Sequence, residues 1–249
     1  MTDLTLLHTA EVHVATFDAL ASGAALSHLV RPDWLARAQN DPSGLDAELR
    51  AEITAAITSA QHTTGQPVLC TCTTLGEIAE AAGAIRLDWP MMQMAAQMGG
   101  PVLLTYCLDS TAIPSTSLLQ RAMTDAGNPH PILSLALPHL WPLFEQGDSV
   151  AFATAIAQAI TDFLATSPIP ADHPTAVVLA QASMAGAADL VDTDTPVLAS
   201  PAIAMQQLLT KRWGPRLGLR RHLSPNTHNS PAAALSCADP WGIPSPHKS

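Results

Sequence analysis

Aromatic residues make up 4 % of this 249-residue chain and charged residues 13 %, and there are four cysteines and a single tyrosine. Four cysteines so spaced exclude a scaffold built on disulfides. Only 11 basic residues stand against 21 acidic ones, for a formal net charge of −10. No basic stretch interleaves with aromatics, so no nucleic-acid partner is expected. No uninterrupted apolar run reaches the ~18 residues of a membrane span, so no membrane partner is expected either. The first residues carry Asp3 and no Lys or Arg, which argues against a signal peptide. The chain lacks a G-x-G-x-x-G or P-loop pattern, which argues against nucleotide chemistry. What it has in quantity is aliphatic side chains: 47 % of residues are apolar, enough for one large core or two smaller ones and too many for a disordered chain. The expectation is a cytoplasmic, alanine-rich α/β protein with free thiols.

Short β-like runs alternate with longer helical stretches. Strands are expected at 4–8, 28–30, 68–71, 84–88, 102–106, 132–136, 176–180 and 197–200. Helical segments run over 45–63, 149–166 and 201–211. Such alternation argues for parallel sheets joined by helical crossovers. An internal overlay favours two sheets of four strands. Val68-Leu69-Cys70-Thr71-Cys72-Thr73-Thr74-Leu75-Gly76 lies over Val178-Leu179-Ala180-Gln181-Ala182-Ser183-Met184-Ala185-Gly186 at a constant offset of 110. Val, Leu and Gly coincide, and Thr73 meets Ser183. The chain therefore reads as two similar halves, 1–99 and 100–200, with a cleft between them and with 201–221 returning to the first half. The segment 222–249 is rich in Pro, Ser and His and reads as a tail, mobile or laid on the surface.

The turn after the third strand carries the most chemistry. Thr74-Leu75-Gly76-Glu77 fits a capping box, with Thr74 as N-cap and Glu77 three residues on. Cys72 then sits just before a helix N-terminus, where free amides and the helix dipole lower a thiol's pKa. The same amides, with the Thr73 and Thr74 hydroxyls, could hold a carboxylate. Cys70 reads as a small core hydrophobe. The Cys70-x-Cys72 pair has no second pair or nearby His, so no metal site is expected. His8, at the end of the first strand, reads either as a hydrogen-bonded structural residue or as a site residue at the same sheet edge as Cys72. Ser110, Thr111 and Ser115 lie in the turn entering a helix expected from Ser117, and fit helix initiation or a carboxylate cradle equally well. Arg86 and Asp88 read as an ion pair bracing a turn.

Cys72-Thr73-Thr74 opening a helix, echoed in the second half, resembles the aspartate/glutamate/hydantoin racemase superfamily. Further segments carry the likeness: Leu7-His8-Thr9-Ala10 followed by Phe17, Arg86-x-Asp88-x-Pro90-Met91, Ser110-Thr111-x-x-Pro114-Ser115, Leu179-Ala180-Gln181-Ala182-Ser183-Met184 and Pro196-Val197-Leu198-x-Ser200-Pro201. Together they span about residues 4–205. The resemblance implies two α/β halves facing across a cleft, catalysis without a cofactor, and a small carboxylate or amino acid as substrate. It allows a homodimer. One cysteine from each half would flank the substrate's α-carbon, one removing a proton and the other returning it. Carried onto this chain, it makes Cys72 the general acid/base. Thr73, Thr74 and Ser183 would hold the carboxylate and its enolate, helped by Ser110 and Thr111, with His8, Thr9 and Gln181 also against the substrate.

The second-half cysteine position is filled by Ala182, and its neighbour Ser183 is a hydrogen-bond donor but a poor base. Three readings follow. The chain is a racemase-like isomerase with another base on the second face, such as His8 or Cys107. It is a lyase like the one-thiol decarboxylases of the superfamily, in which loss of CO₂ needs only one proton donor. Or it is a silent carboxylate-binding protein.

Overall fold

A computed structural model of the chain describes residues 2–40, 45–166 and 173–213. Every residue of β1 (Leu4–His8) is buried, as a strand covered on both faces by helices must be. It is followed by α1 (Val12–Ala19), β2 (Leu26–Val30), α2 (Pro32–Asn40), α3 (Ala47–Thr64), β3 (Val68–Cys70), α4 (Gly76–Ala81), β4 (Ile85–Arg86) and α5 (Trp89–Gln97). The four strands pair in parallel in the order β2-β1-β3-β4, with Leu7 opposite Leu29 on one side and Cys70 on the other.

The chain then repeats itself. β5 (Val102–Tyr106), α6 (Asp109–Asp125), β6 (Ile132–Ala136), α7 (Trp141–Glu145), α8 (Ser149–Thr166), β7 (Ala176–Leu179), β8 (Val197–Ala199) and α9 (Ser200–Trp213) follow, with 3₁₀ turns at Pro138–Leu140 and Ala182–Leu190. The second sheet is also all parallel, in the order β6-β5-β7-β8. Its order matches that of the first sheet position for position. Two four-stranded parallel sheets flanked by helices are thus what the alternating sequence builds.

Two local expectations change. The helix expected from Ser117 begins at Asp109 and contains Pro114. Pro114 lies inside this helix, where it forgoes the hydrogen bond to the Ser110 carbonyl and its ring crowds that carbonyl. And α8, at 18 residues, has the length and composition to cross a membrane. Counting consecutive apolar residues misses it because Thr154, Gln158, Thr161 and Asp162 interrupt the run. Its Phe152, Ile156, Ile160 and Leu164 lie in the core beside Leu103, Val177 and Leu179, at the i, i+4, i+8 spacing of one buried helix face.

The helices do not divide as the strands do. α5 comes before the junction at Gly99-Gly100, yet its Met91, Met92, Ala95 and Ala96 pack with Val102, Leu104, Ala176 and Val178 of the second sheet. In return, Ala204, Met205, Leu208 and Leu209 of α9 pack with Leu4, Leu6, Leu69 and Ile85 of the first sheet. The junction itself is pinned by Asn128, whose side-chain amide donates to the carbonyls of Ala96 and Gly100 at 3.2 and 3.0 Å. Gly100 has φ +131°, and a Cβ there would stand 2.4 Å from Cγ2 of Thr175. The expected tail, 222–249, and the end of the returning segment 201–221 lie outside the described residues.

Candidate active site

Parallel pairing puts the carboxyl ends of β1 and β3 on one edge, and those of β5 and β7 on another. The two edges face each other. The Thr73 hydroxyl, after β3, donates to the carbonyl of Ala180, after β7, at 2.8 Å. The Thr74 and Ser110 hydroxyls share a hydrogen bond at 3.1 Å. Between these turns lies a cavity of about 220 Å³. Thr9, Cys72, Thr73 and Thr74 form one wall, and Thr111, Gln181, Ala182 and Ser183 the other. The duplicated segments of the sequence therefore meet across one space, with Cys72 on one side and Ala182 and Ser183 on the other.

The Cys72 thiol is buried, and burial pushes its pKa up. Hydrogen bonds to sulfur from the Thr9 hydroxyl, the Leu75 and Thr74 amides and the Thr74 hydroxyl oppose that rise without overcoming it. This corrects the expectation of a helix-lowered thiol. The helix begins one residue later than the capping box requires, at Gly76, and no side chain caps it. Thr74 is not the N-cap, because its hydroxyl is turned to Ser110 across the cavity edge. At neutral pH Cys72 is accordingly a protonated acid surrounded by groups able to receive a sulfur anion.

A carboxylate needs donors, so the fate of each hydroxyl proton decides what the walls can hold. The Thr73 proton is committed to Ala180, and the Thr111 proton to the carbonyl of Leu108 at 2.7 Å. Thr74 and Ser110 satisfy one of their two protons in each other, leaving one to give. Ser110 touches the cavity only through Thr74. Ser183 differs from all of these: its Oγ is shielded from solvent and has no partner among the described residues. Thr5, Thr105 and Ser115 hydroxyls share that condition but do not line the cavity. Gln181 lines it, with its carbonyl oxygen held at 2.6 Å by the backbone N–H of Cys107.

His8 lies outside the cavity lining. Its Nδ1 is 2.8 Å from the Thr71 hydroxyl, which itself donates to the Leu7 carbonyl at 3.0 Å. Its Nε2 is 2.9 Å from Nδ1 of His28, whose Nε2 is 3.1 Å from Asp18. Burial, with His13 and His28 nearby, lowers the pKa of His8 to about 3. A neutral ring bridging β1 to β2 and β3 ties the strand ends that carry Thr9 and Cys72. Cys107 and Cys70 are also away from the cavity. Cys107 sits in the apolar cluster around Phe152, and burial raises its thiol to about 12. Neither His8 nor Cys107 thus stands opposite Cys72. Arg86 and Asp88 form a buried bidentate pair at 2.8 and 2.9 Å.

The sequence did not single out the residues of the outer rim: His13, Leu35, Leu108, Trp141, Phe144 and Glu145. The indole N–H of Trp141 donates to Glu145 at 2.9 Å, and Phe144 packs between Trp141 and His13 with ring centroids at 4.7 and 6.2 Å. Burial lowers the pKa of His13 to about 4, so its ring is neutral at neutral pH. Two signals were available: His13 follows the β1 edge by five residues, and two of a small aromatic complement stand three apart at 141 and 144. Among the described residues no three His, Cys, Asp or Glu side chains converge to hold a metal ion. A larger depression of about 560 Å³ lies between α1 and α9. Its polar groups are Ser22, Gln206 and Thr210, with nothing titratable, so the smaller cavity is the candidate site.

No family model matches the sequence, and no curated protein is similar to it. Solved structures are similar in fold. A glutamate racemase of Bacillus anthracis superposes with a TM-score of 0.61 at 11 % identity, over 87 % of this chain and 83 % of that one. The allantoin racemase of Klebsiella pneumoniae gives 0.57 at 15 % identity, over 90 % and 97 %. The aspartate racemase of Picrophilus torridus gives 0.54 at 12 %, over 86 % and 95 %. The chain has the aspartate/glutamate/hydantoin racemase fold. The likeness extends over both sheets, since each comparison covers more than four fifths of both chains. At these identities it is a likeness of fold, and the chemistry of this racemase-fold chain has to be argued from its own cavity.

Proposed function

We propose that the cavity is the active site of a racemase-like enzyme that moves a proton at the carbon next to the carboxylate of a small acid or amino acid, without a cofactor. The observation that carries this reading is a buried Cys72 thiol, ringed by donors, across a cavity from Ser183, whose hydroxyl has no partner among the described residues. Ser183 and the spare proton of the Thr74–Ser110 pair hold the carboxylate. When the Cys72 thiolate takes the α-proton, the electron pair left on carbon moves into the carboxylate as an enolate, and the thiol so formed returns a proton to that carbon. Donors already aimed at those oxygens stabilise that charge most where it develops. The high thiol pKa makes the thiolate rarer but a stronger base, and the Thr9 hydroxyl with the Thr74 and Leu75 amides stabilises its charge. The protein acts in the cytoplasm on a free small molecule.

Ala182 favours a second reading, a one-thiol lyase. The bond from the α-carbon to a second carboxyl breaks, CO₂ leaves, and its electron pair forms the same enolate. The Cys72 proton then goes to carbon, and water reprotonates the thiolate. No opposing base is needed.

Amino acids, hydantoins and malonate-type acids incubated in D₂O with wild type and Cys72→Ala, followed by NMR, test both. Deuterium at the α-carbon with wild type alone supports proton transfer by Cys72, and CO₂ release from a malonate supports the lyase. Exchange that survives in Cys72→Ala overturns the role of Cys72, and neither exchange nor CO₂ release across a panel that binds overturns the enzymatic reading.

A further inference from the structure

The charge on the cavity walls limits what the substrate can carry beyond its one carboxylate. Among the described residues no lysine or arginine lines the cavity, and its titratable side chains are Cys72, His13 and Glu145, the last being its one carboxylate. Its carboxylate is oriented by the Trp141 N–H at 2.9 Å, which leaves the other oxygen free to accept. Beside it stand the rings of Trp141 and Phe144, 4.7 Å apart. A carboxylate attracts an ammonium or guanidinium group through its charge, and the Trp141 ring beside it adds its quadrupole. The same carboxylate repels a second anionic group, and nothing in the lining would neutralise it.

Resting on the proton-transfer reading of this cavity and opposed to the lyase reading, we propose that its rim selects a monocarboxylate whose substituent is positively charged, held by Glu145 beside Trp141, and that it turns dicarboxylates away. The carboxylate end is held by the Ser183 and Thr74 side of the cavity, and the substituent points out toward α7. The neutral state of His13 agrees with this, since that ring adds no positive charge to the rim at neutral pH.

The test compares lysine, arginine, norleucine, aspartate and glutamate with the whole chain, read by calorimetric Kd and by α-proton exchange in D₂O. The expected result is that lysine or arginine binds at least tenfold tighter than glutamate or aspartate. In Glu145→Gln the ratio of lysine to norleucine affinity falls about tenfold, and in Glu145→Lys the order of lysine and glutamate reverses. Glu145 is exposed at the end of a short helix, so both variants should fold. Binding of glutamate or aspartate as tight as that of lysine overturns the inference, as does an unchanged ratio in Glu145→Gln or no binding by any of the five. Charge-selective binding with no exchange sinks the proton-transfer reading alone, and exchange of glutamate but not lysine sinks this one alone.

Discussion

Replacing Ser183 by alanine should make the protein more stable and less active. The Ser183 Oγ is shielded from solvent and has no partner among the described residues, and an unsatisfied buried hydroxyl costs about 1–3 kcal/mol. At the low end of that range, removal gains about 1 kcal/mol. For a chain of this size, that raises Tm by roughly 2–4 °C. Alanine fits because it deletes one atom from a wall that already has Ala182 beside it. If the same hydroxyl donates to the substrate's developing enolate, its loss lowers kcat by about 10²–10³-fold, as removal of one such donor does elsewhere. Thermal unfolding by circular dichroism and α-proton exchange on the same preparations read both effects. A Ser183→Ala protein that melts lower than wild type would refute the reasoning, because the hydroxyl would then be serving the fold. One that melts higher but exchanges at the wild-type rate would remove Ser183 from the site.

Cys72→Ser should abolish exchange while leaving Tm within about 2 °C of wild type, since the two side chains differ little in size; a serine hydroxyl is far too weak an acid to substitute. Asp88→Asn leaves the buried Arg86 guanidinium without its carboxylate, and chemical denaturation should show a loss of about 3–5 kcal/mol. Gly100→Ala forces a Cβ toward Thr175 at φ +131°; a loss of about 2 kcal/mol or more is expected, and Thr175→Ser should recover part of it. The pKa of His13 is lowered from 6.5 in the unfolded chain to about 4 in the fold. Between those values the unfolded chain binds the extra proton, so stability falls as pH drops from about 6.5 to 4. His13→Gln should reduce that slope by up to one proton, roughly 1.4 kcal/mol per pH unit, measured by unfolding at several pH values.

The central strands β1 and β5 were legible because buried parallel strands are rich in apolar residues, and they begin and end where the pattern places them; so does β6, a partly buried edge strand. β2 was read short because it is an edge strand of intermediate burial, and Ser27 interrupts its start. The facing of Cys72 with Ala182 and Ser183 was legible from the internal overlay, since an offset of 110 carries one strand end onto the other. What sequence could not supply is where hydroxyl protons go. Thr73, Thr74 and Thr111 look alike as letters, yet Thr73 and Thr111 are committed to carbonyls and Thr74 bonds a residue 36 positions away. The thiol pKa was misread for a related reason: a helix N-terminus is a local signal, and burial of Cys72 is a property of the whole assembly. The rim escaped because α7 is five residues long and too short to show periodicity.

The exchange of α5 and α9 between the sheets makes the molecule a poor candidate for dissection. Cut at Gly99, the leading piece would keep α5 without the second sheet that buries Met91 and Met92, and would lose α9, which covers Leu4 and Leu6. Each fragment would expose an apolar face that the other supplies, so the pieces should aggregate alone and associate when expressed together. The cavity is lined from the edges of both sheets, so the candidate site lies in the part of the molecule that neither half can build alone.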